Sequence, residues 1–221
     1  MERQEQLRLL KGLIGHLDNK TNINAGGILK APADTYISEE GFEREWGTFF
    51  LNHPQIIGMS GDLPKPNTFI TTEDFGVPVL ATRNSSGEFK AYANVCSHRG
   101  VTVETLKRGE KSRFSCPFHG WTFNNDGSLI GYPKNEQFGE IDKDCYGLKE
   151  LPAVERFGFL WVHPKRDGKI DLDQLLGEEL TEEFRQWNFE SLVFANEDEY
   201  FTEMNWKLAI DPFGEPYPFS V

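Results

Sequence analysis

Cys96, His98, Cys116 and His119 are the residues of this chain whose types and spacing could do metal chemistry. They read Cys-x-His, a gap of seventeen residues, then Cys-x-x-His. Each pair sets one thiolate and one imidazole on a tight loop, pointing the same way. Two such loops facing each other make a four-ligand metal centre. If each loop gives one ligand to each of two irons, both cysteines hold one iron and both histidines the other. The group is then a 2Fe-2S cluster, and the chemistry is the transfer of single electrons. Structural zinc is the alternative, because Cys2His2 sites also bind zinc. A zinc finger, however, pairs Cys with Cys and His with His, usually with the histidines on a helix. The pairs here are mixed and lie among strands, which favours the cluster. Gly100 and Gly120 follow the ligands closely and permit the tight turns such loops need. Backbone N–H groups at those turns can donate to cluster sulfur and tune it.

The remaining candidates are weaker. Cys145 has no paired histidine and reads as a plain thiol. His16, His53 and His163 are isolated and read as structural or exposed. Three cysteines are too few for a disulfide framework, which suits a reducing cytoplasm.

The elements that position the four ligands follow from periodicity. Leu7, Leu9, Leu10, Leu13, Ile14 and Leu17 predict an amphipathic helix over 2–18. Residues 22–33 form a connector. Ser38 caps a second helix that carries Phe42, Trp46, Phe49 and Phe50 and ends before Pro54. From about residue 56, short β-branched and aromatic runs alternate with turns. Strands are expected at 77–82, 88–95, 113–116 and 121–124, with a hairpin turn at Asn125-Asp126-Gly127. A further hairpin joins 151–156 to 159–163. Beyond Pro164 come a helix over 171–187, a strand over 191–202 and a short helix over 206–211, capped by Asn205 and ended by Pro212.

The fold class is therefore α+β, with a small antiparallel β-domain at its centre. The expected division is a helical segment (1–54), the ligand-bearing β-domain (55–164) and the incomplete start of a further domain (165–221). The chain has 221 residues, 38% hydrophobic and 13% aromatic, enough for real cores. Its net charge of −12 argues against nucleic acid and anionic membranes as partners and suits a basic redox partner. No stretch is long and apolar enough to span a bilayer, and the N-terminus has no signal-peptide core.

Cys96-Ser97-His98-Arg99-Gly100 and Cys116-Pro117-Phe118-His119-Gly120-Trp121-Thr122-Phe123 resemble the Rieske domain of aromatic ring-hydroxylating oxygenase large subunits. Asp126-Gly127-Ser128-Leu129 fits as well. Tyr36-Ile37-Ser38 through Trp46 resembles the family's leading helix, and Asn205-Trp206-Lys207-Leu208 the opening of its catalytic domain. The resemblance covers nearly all of this chain but only the N-terminal half of a typical member. It implies a Rieske 2Fe-2S cluster on Cys96, His98, Cys116 and His119. It also implies electrons from an NAD(P)H-dependent reductase or a ferredoxin, a small organic substrate, O₂, and the homotrimers common among relatives. Rieske proteins of cytochrome complexes carry two extra cysteines, where this chain has Val101 and Phe118, and a serine where it has Trp121. The implied potential lies in the lower part of the roughly −150 to +300 mV Rieske range.

The family passes its electrons to a mononuclear Fe(II) held by two histidines and a carboxylate, with open positions for O₂. The first histidines come from Asp/Glu-x-x-His-x4-His, just after Asn-Trp-Lys. Here Glu215 falls on the carboxylate that links one subunit's cluster histidine to its neighbour's iron, and Pro218 falls on the first histidine. Proline offers a metal no lone pair, and the second histidine would fall at position 223. Glu215 is thus either a bridging catalytic carboxylate or an ordinary solvated one, and exposed carboxylates are the base rate. The expected function is the electron-transfer portion of an oxygenase whose catalytic iron is absent here. The expected enzyme class is correspondingly open. A stand-alone Rieske-type ferredoxin is the alternative, although such carriers are shorter, and a zinc-stabilised binding module is a third.

Overall fold

The computed structural model describes residues 3–22, 27–28, 30–139 and 141–214. It divides into two compact units, Met1–Gly41 with Glu203–Val221, and Phe42–Thr202. Each is taken by itself.

The smaller unit holds α1 (Arg3–Asn19), α2 (Asp34–Ile37) and the first residues of α3 (Glu39–Glu45). Ser38 accepts the Gly41 N–H at 3.0 Å, the cap expected of it. Leu10, Leu13 and Leu17 of α1 remain exposed.

Among the described residues, the larger unit is built on eleven short antiparallel strands. These are β1 (Gln55–Met59), β2 (Thr68–Thr72), β3 (Val79–Arg83), β4 (Phe89–Ala93), β5 (Arg108–Glu110), β6 (Arg113–Ser115), β7 (Thr122–Asn124), β8 (Leu129–Gly131), β9 (Glu150–Leu151), β10 (Ala153–Arg156) and β11 (Phe159–Val162). They form three sheets, ordered β5-β2-β3-β4-β9, β1-β11-β10 and β6-β7-β8. Ahead of β1, α3 runs on as a π-helical turn, Trp46–Phe50, whose Trp46 and Phe50 pack against buried apolar residues.

The five-stranded sheet separates two cores because side chains alternate along a strand. Phe69, Leu80 and Tyr92 face one way and join Phe114, Trp121, Phe123 and Leu129 with Cys96 and Cys116. Ile70, Val79, Ala81 and Ala91 face the other way and join Leu63, Leu151, Leu160 and Val162. Arg83 ties two sheets together through both its Nη atoms on the Glu155 carboxylate, at 2.9 and 2.8 Å. The first core is the floor on which the ligand loops stand.

After the β-sheets comes α4 (Leu172–Trp187), capped by Asp171, whose carboxylate accepts the Gln174 N–H at 3.0 Å. The strand expected over 191–202 is not formed. Ser191 closes a short 3₁₀ turn, and 192–202 carry neither helix nor strand. Side chains hold this segment instead. Lys107 pairs with Glu197 and Glu199, Arg108 with Glu197, and the Arg108 guanidinium lies 3.6 Å from the Phe194 ring centroid. In the smaller unit α5 (Trp206–Gly214) is capped by Asn205, as expected, but continues through Pro212. A proline inside a helix forfeits one N–H and crowds the carbonyl four residues back, a cost that α5 carries here rather than ending.

Candidate metal centre

Two loops of one design carry the four candidate ligands. In the first, the Cys96 N–H donates to the Val101 carbonyl at 2.8 Å and the Gly100 N–H to the Cys96 carbonyl at 2.9 Å. In the second, the Cys116 N–H donates to Trp121 at 2.8 Å and the Gly120 N–H to Cys116 at 2.9 Å. Gly100 and Gly120 both take positive φ, 74° and 69°, which a side chain would strain. The two loops therefore close alike, although histidine is the third residue of one and the fourth of the other.

The loops bring like with like. Cys96 and Cys116 are buried, and their sulfurs lie close enough to hydrogen-bond. The His98 and His119 ring centroids are 4.8 Å apart, His98 half-buried and His119 exposed. Among the described residues, no three His, Cys, Asp or Glu side chains gather as they would around a single metal ion. The four candidates stand instead as a thiol pair inside and an imidazole pair outside.

The electrostatics suit soft ligands waiting for a cation. Burial pushes the Cys96 thiol up, while hydrogen bonds from the backbone at His98 and Arg99 to its sulfur pull the other way. A bound cation overrides the desolvation and deprotonates such a thiol outright. Burial, with His119 and Arg99 nearby, holds His98 below the usual imidazole range and so neutral, the form that ligates metals. Its Nδ1 is buried with no hydrogen-bond partner. A buried nitrogen lone pair with nothing to bond costs free energy unless it binds something. The residues present therefore fit a two-iron cluster.

Several contributors to the site escaped the sequence reading. Tyr132, Phe138 and Tyr146 surround the buried Trp121 ring. They come from the stretch between the β7–β8 hairpin and β9, for which no element was expected from the sequence. The Ser97 hydroxyl, between two ligands, donates to the Tyr146 carbonyl. Asn94 bridges the Glu104 backbone from both ends of its amide, at 2.7 and 3.0 Å, pinning the chain just past the first loop. Cys145 is exposed and near Asp142, apart from the thiol pair. His163 is buried just past β11, His16 is half-buried and His53 is exposed. Glu215 and Pro218 lie outside the described residues.

Comparison with known proteins agrees with this geometry. Residues 53–153 match the family described as Rieske [2Fe-2S] domain. The chain is 31% identical over 202 residues to toluate 1,2-dioxygenase subunit alpha of Pseudomonas putida, covering 88% of this chain and 44% of that protein. It is 30% identical over 208 residues to chloroplastic choline monooxygenase of Amaranthus tricolor, covering 92% and 46%. The apo crystal structure of the quaternary ammonium Rieske monooxygenase CntA superposes with a TM-score of 0.76 at 28% identity, covering 86% of this chain and 56% of that one. The chain thus spans less than half the length of these two curated relatives.

Proposed function

The chain belongs to the Rieske oxygenases, matching the N-terminal part of their large subunits, and on that footing we propose that it is the electron-transfer portion of a ring-hydroxylating-type oxygenase. Cys96 and Cys116 hold one iron in this reading and His98 and His119 the other. A bound 2Fe-2S cluster accepts and releases one electron at a time. The donor is an NAD(P)H-dependent reductase or a ferredoxin, and the destination is a mononuclear non-heme iron formed by other residues. Residues 165–221 open the catalytic domain in this reading, and the assembly is a homotrimer.

The chain's own residues do three things. The buried cysteines keep water from the sulfur side. The neutral His98 presents an unsatisfied Nδ1 inward. His119 and the adjoining Phe118 ring stand exposed at the surface, so the imidazole edge is where an electron can leave over the shortest distance.

The observation that carries the reading is the sorting of ligands, thiols paired inside and imidazoles paired outside, on two loops that close alike. The test is analysis of the purified chain for iron and acid-labile sulfide, with the EPR spectrum of the dithionite-reduced protein. Equal iron and sulfide with a rhombic S = 1/2 signal is expected. Zinc without sulfide would end the proposal.

A further inference from the structure

We propose that Trp121 is a positioning residue that fixes the ring plane of His98, acting across the two ligand loops. The inference rests on the reading of the four residues as cluster ligands. Trp121 belongs to the second loop, where its carbonyl accepts the Cys116 N–H. Its indole, however, lies on the ligand of the first loop. The His98 and Trp121 rings stack at 4.8 Å with only 4° between their planes.

The indole is itself immobilised. Trp121 is 2% exposed, and the rings of Tyr132, Phe138 and Tyr146 stand 5.6 to 6.0 Å from it at steep or tilted angles. Phe138 also meets His98 edge-on, at 5.9 Å. Ser97, the residue before His98, is tied to the Tyr146 carbonyl. His98 therefore has a fixed face on one side and a fixed neighbour in the chain. His119 has neither, being exposed with Phe118 and His98 as its ring contacts.

The type of contact decides what it restrains. Rotation of an imidazole about Cβ–Cγ is a soft torsion with broad wells. A parallel aromatic face lets the ring slide in its own plane but resists rotation, which would drive the ring edge into the indole. Packing by an aliphatic side chain of similar bulk fills the space without selecting a plane. The expected consequence is one histidine with a sharply defined orientation toward its iron.

Pulsed EPR of the reduced holoprotein, with histidine labelled by ¹⁵N, reads this directly through the nitrogen hyperfine couplings. The wild type and W121F, which keeps a flat face, are expected to give a narrow coupling for one of the two histidines. W121L is expected to spread that coupling while still containing cluster. F118L, which strips the ring beside His119, leaves it narrow. A loaded W121L protein with an unchanged narrow coupling would overturn the proposal. So would a W121F protein whose coupling spreads, and this outcome decides the matter if W121L fails to load. A wild type without acid-labile sulfide would instead overturn the ligand reading on which the proposal stands.

Discussion

His98 and His119 face each other edge to face, with planes 66° apart, yet one is gripped and the other open. Their loops share the same pair of backbone hydrogen bonds, so the difference does not come from the backbone. It arises because the single extra residue in Cys-x-x-His carries its imidazole outward to an exposed position, while Cys-x-His leaves its ring under Trp121. Two loops of one design thus make an inner, gripped histidine and an outer, accessible one.

Loss of any one ligand should abolish the centre. C96S, C116S, H98A and H119A are each expected to lose iron and acid-labile sulfide and the EPR signal of the reduced protein. C145S should retain all three at wild-type levels, because Cys145 is exposed and stands apart from the thiol pair. Metal analysis of the five variants side by side checks this, and a cluster lost from C145S would mean that the ligand set has been misassigned.

The midpoint potential should fall in the lower part of the roughly −150 to +300 mV Rieske range. Hydrogen bonds to cluster sulfur and its ligands raise the potential by stabilising the added negative charge. At position 121 this chain has an indole whose ring packs on His98, where the Rieske proteins of cytochrome complexes have a serine hydroxyl. A spectroelectrochemical titration measures the potential. A value in the upper part of the range would show that other donors to the sulfurs replace the missing hydroxyl.

The pairing of the candidate ligands and the elements that carry them were legible in the sequence because each leaves a local mark. The Cys-x-His and Cys-x-x-His spacings are contiguous. Asp126-Gly127 marks the β7–β8 hairpin, Ser38 and Asn205 mark helix starts, and β-branched and aromatic runs between turns mark β3 and β4. What was not legible depends on contacts between distant residues. Phe138 and Tyr146 look like loop aromatics until Trp121 stands between them. Residues 192–202 have the β-branched and aromatic content of a strand, but their carboxylates pair with Lys107 and Arg108, and that pairing has no sequence period.

That charged segment should yield to salt. Exposed ion pairs between Lys107, Arg108, Glu197 and Glu199 are screened over a Debye length of about 3 Å at 1 M salt. Without a ladder the segment otherwise rests on Phe194 against Arg108 and on the close approach of the Leu192 and Val193 backbone to Gly61. Limited proteolysis should cut within 192–202 faster at high salt, and R108A should be cut faster than wild type already at low salt. Equal cutting rates for R108A and wild type would mean that apolar packing holds the segment.

Glu104 should matter more through its backbone contacts than through its charge. Its buried carboxylate pairs with Lys111 and accepts the N–H groups of Thr105 and Leu106, both at 3.0 Å. E104Q keeps an oxygen for those donors and should cost about 1 kcal/mol. E104A removes the charged acceptor altogether and should cost about 1.5–3 kcal/mol, the range for hydrogen bonds to a charged group. Leu160→Ala, fully buried in the core facing away from the ligand loops, sets the scale at about 2–5 kcal/mol. Urea unfolding of the three variants gives the order, and E104Q as costly as E104A would assign the effect to the ion pair.

His163 should impose a pH dependence at the opposite side of the β-domain from the metal centre. Burial first, then the Lys165 charge, lower its pKa, against hydrogen bonds to the Asn52 and Lys165 backbone and the Asp167 carboxylate that raise it. Its Nδ1 accepts the Lys165 N–H at 3.0 Å, so the folded protein holds the ring neutral. A Cβ on Gly168 would meet that ring at 2.0 Å, which shows how closely the 165–168 turn is wrapped around it. The unfolded chain binds the proton more readily, with an ordinary pKa of about 6.5. The contribution of His163 to stability is therefore fully present above about pH 6.5 and declines as the pH falls toward its lowered folded value. Urea midpoints measured from pH 8 to pH 5 should drop more steeply for wild type than for H163Q, whose amide does not titrate. Parallel slopes for the two proteins would mean that carboxylates such as Glu155, held low by Arg83, set the acid dependence instead.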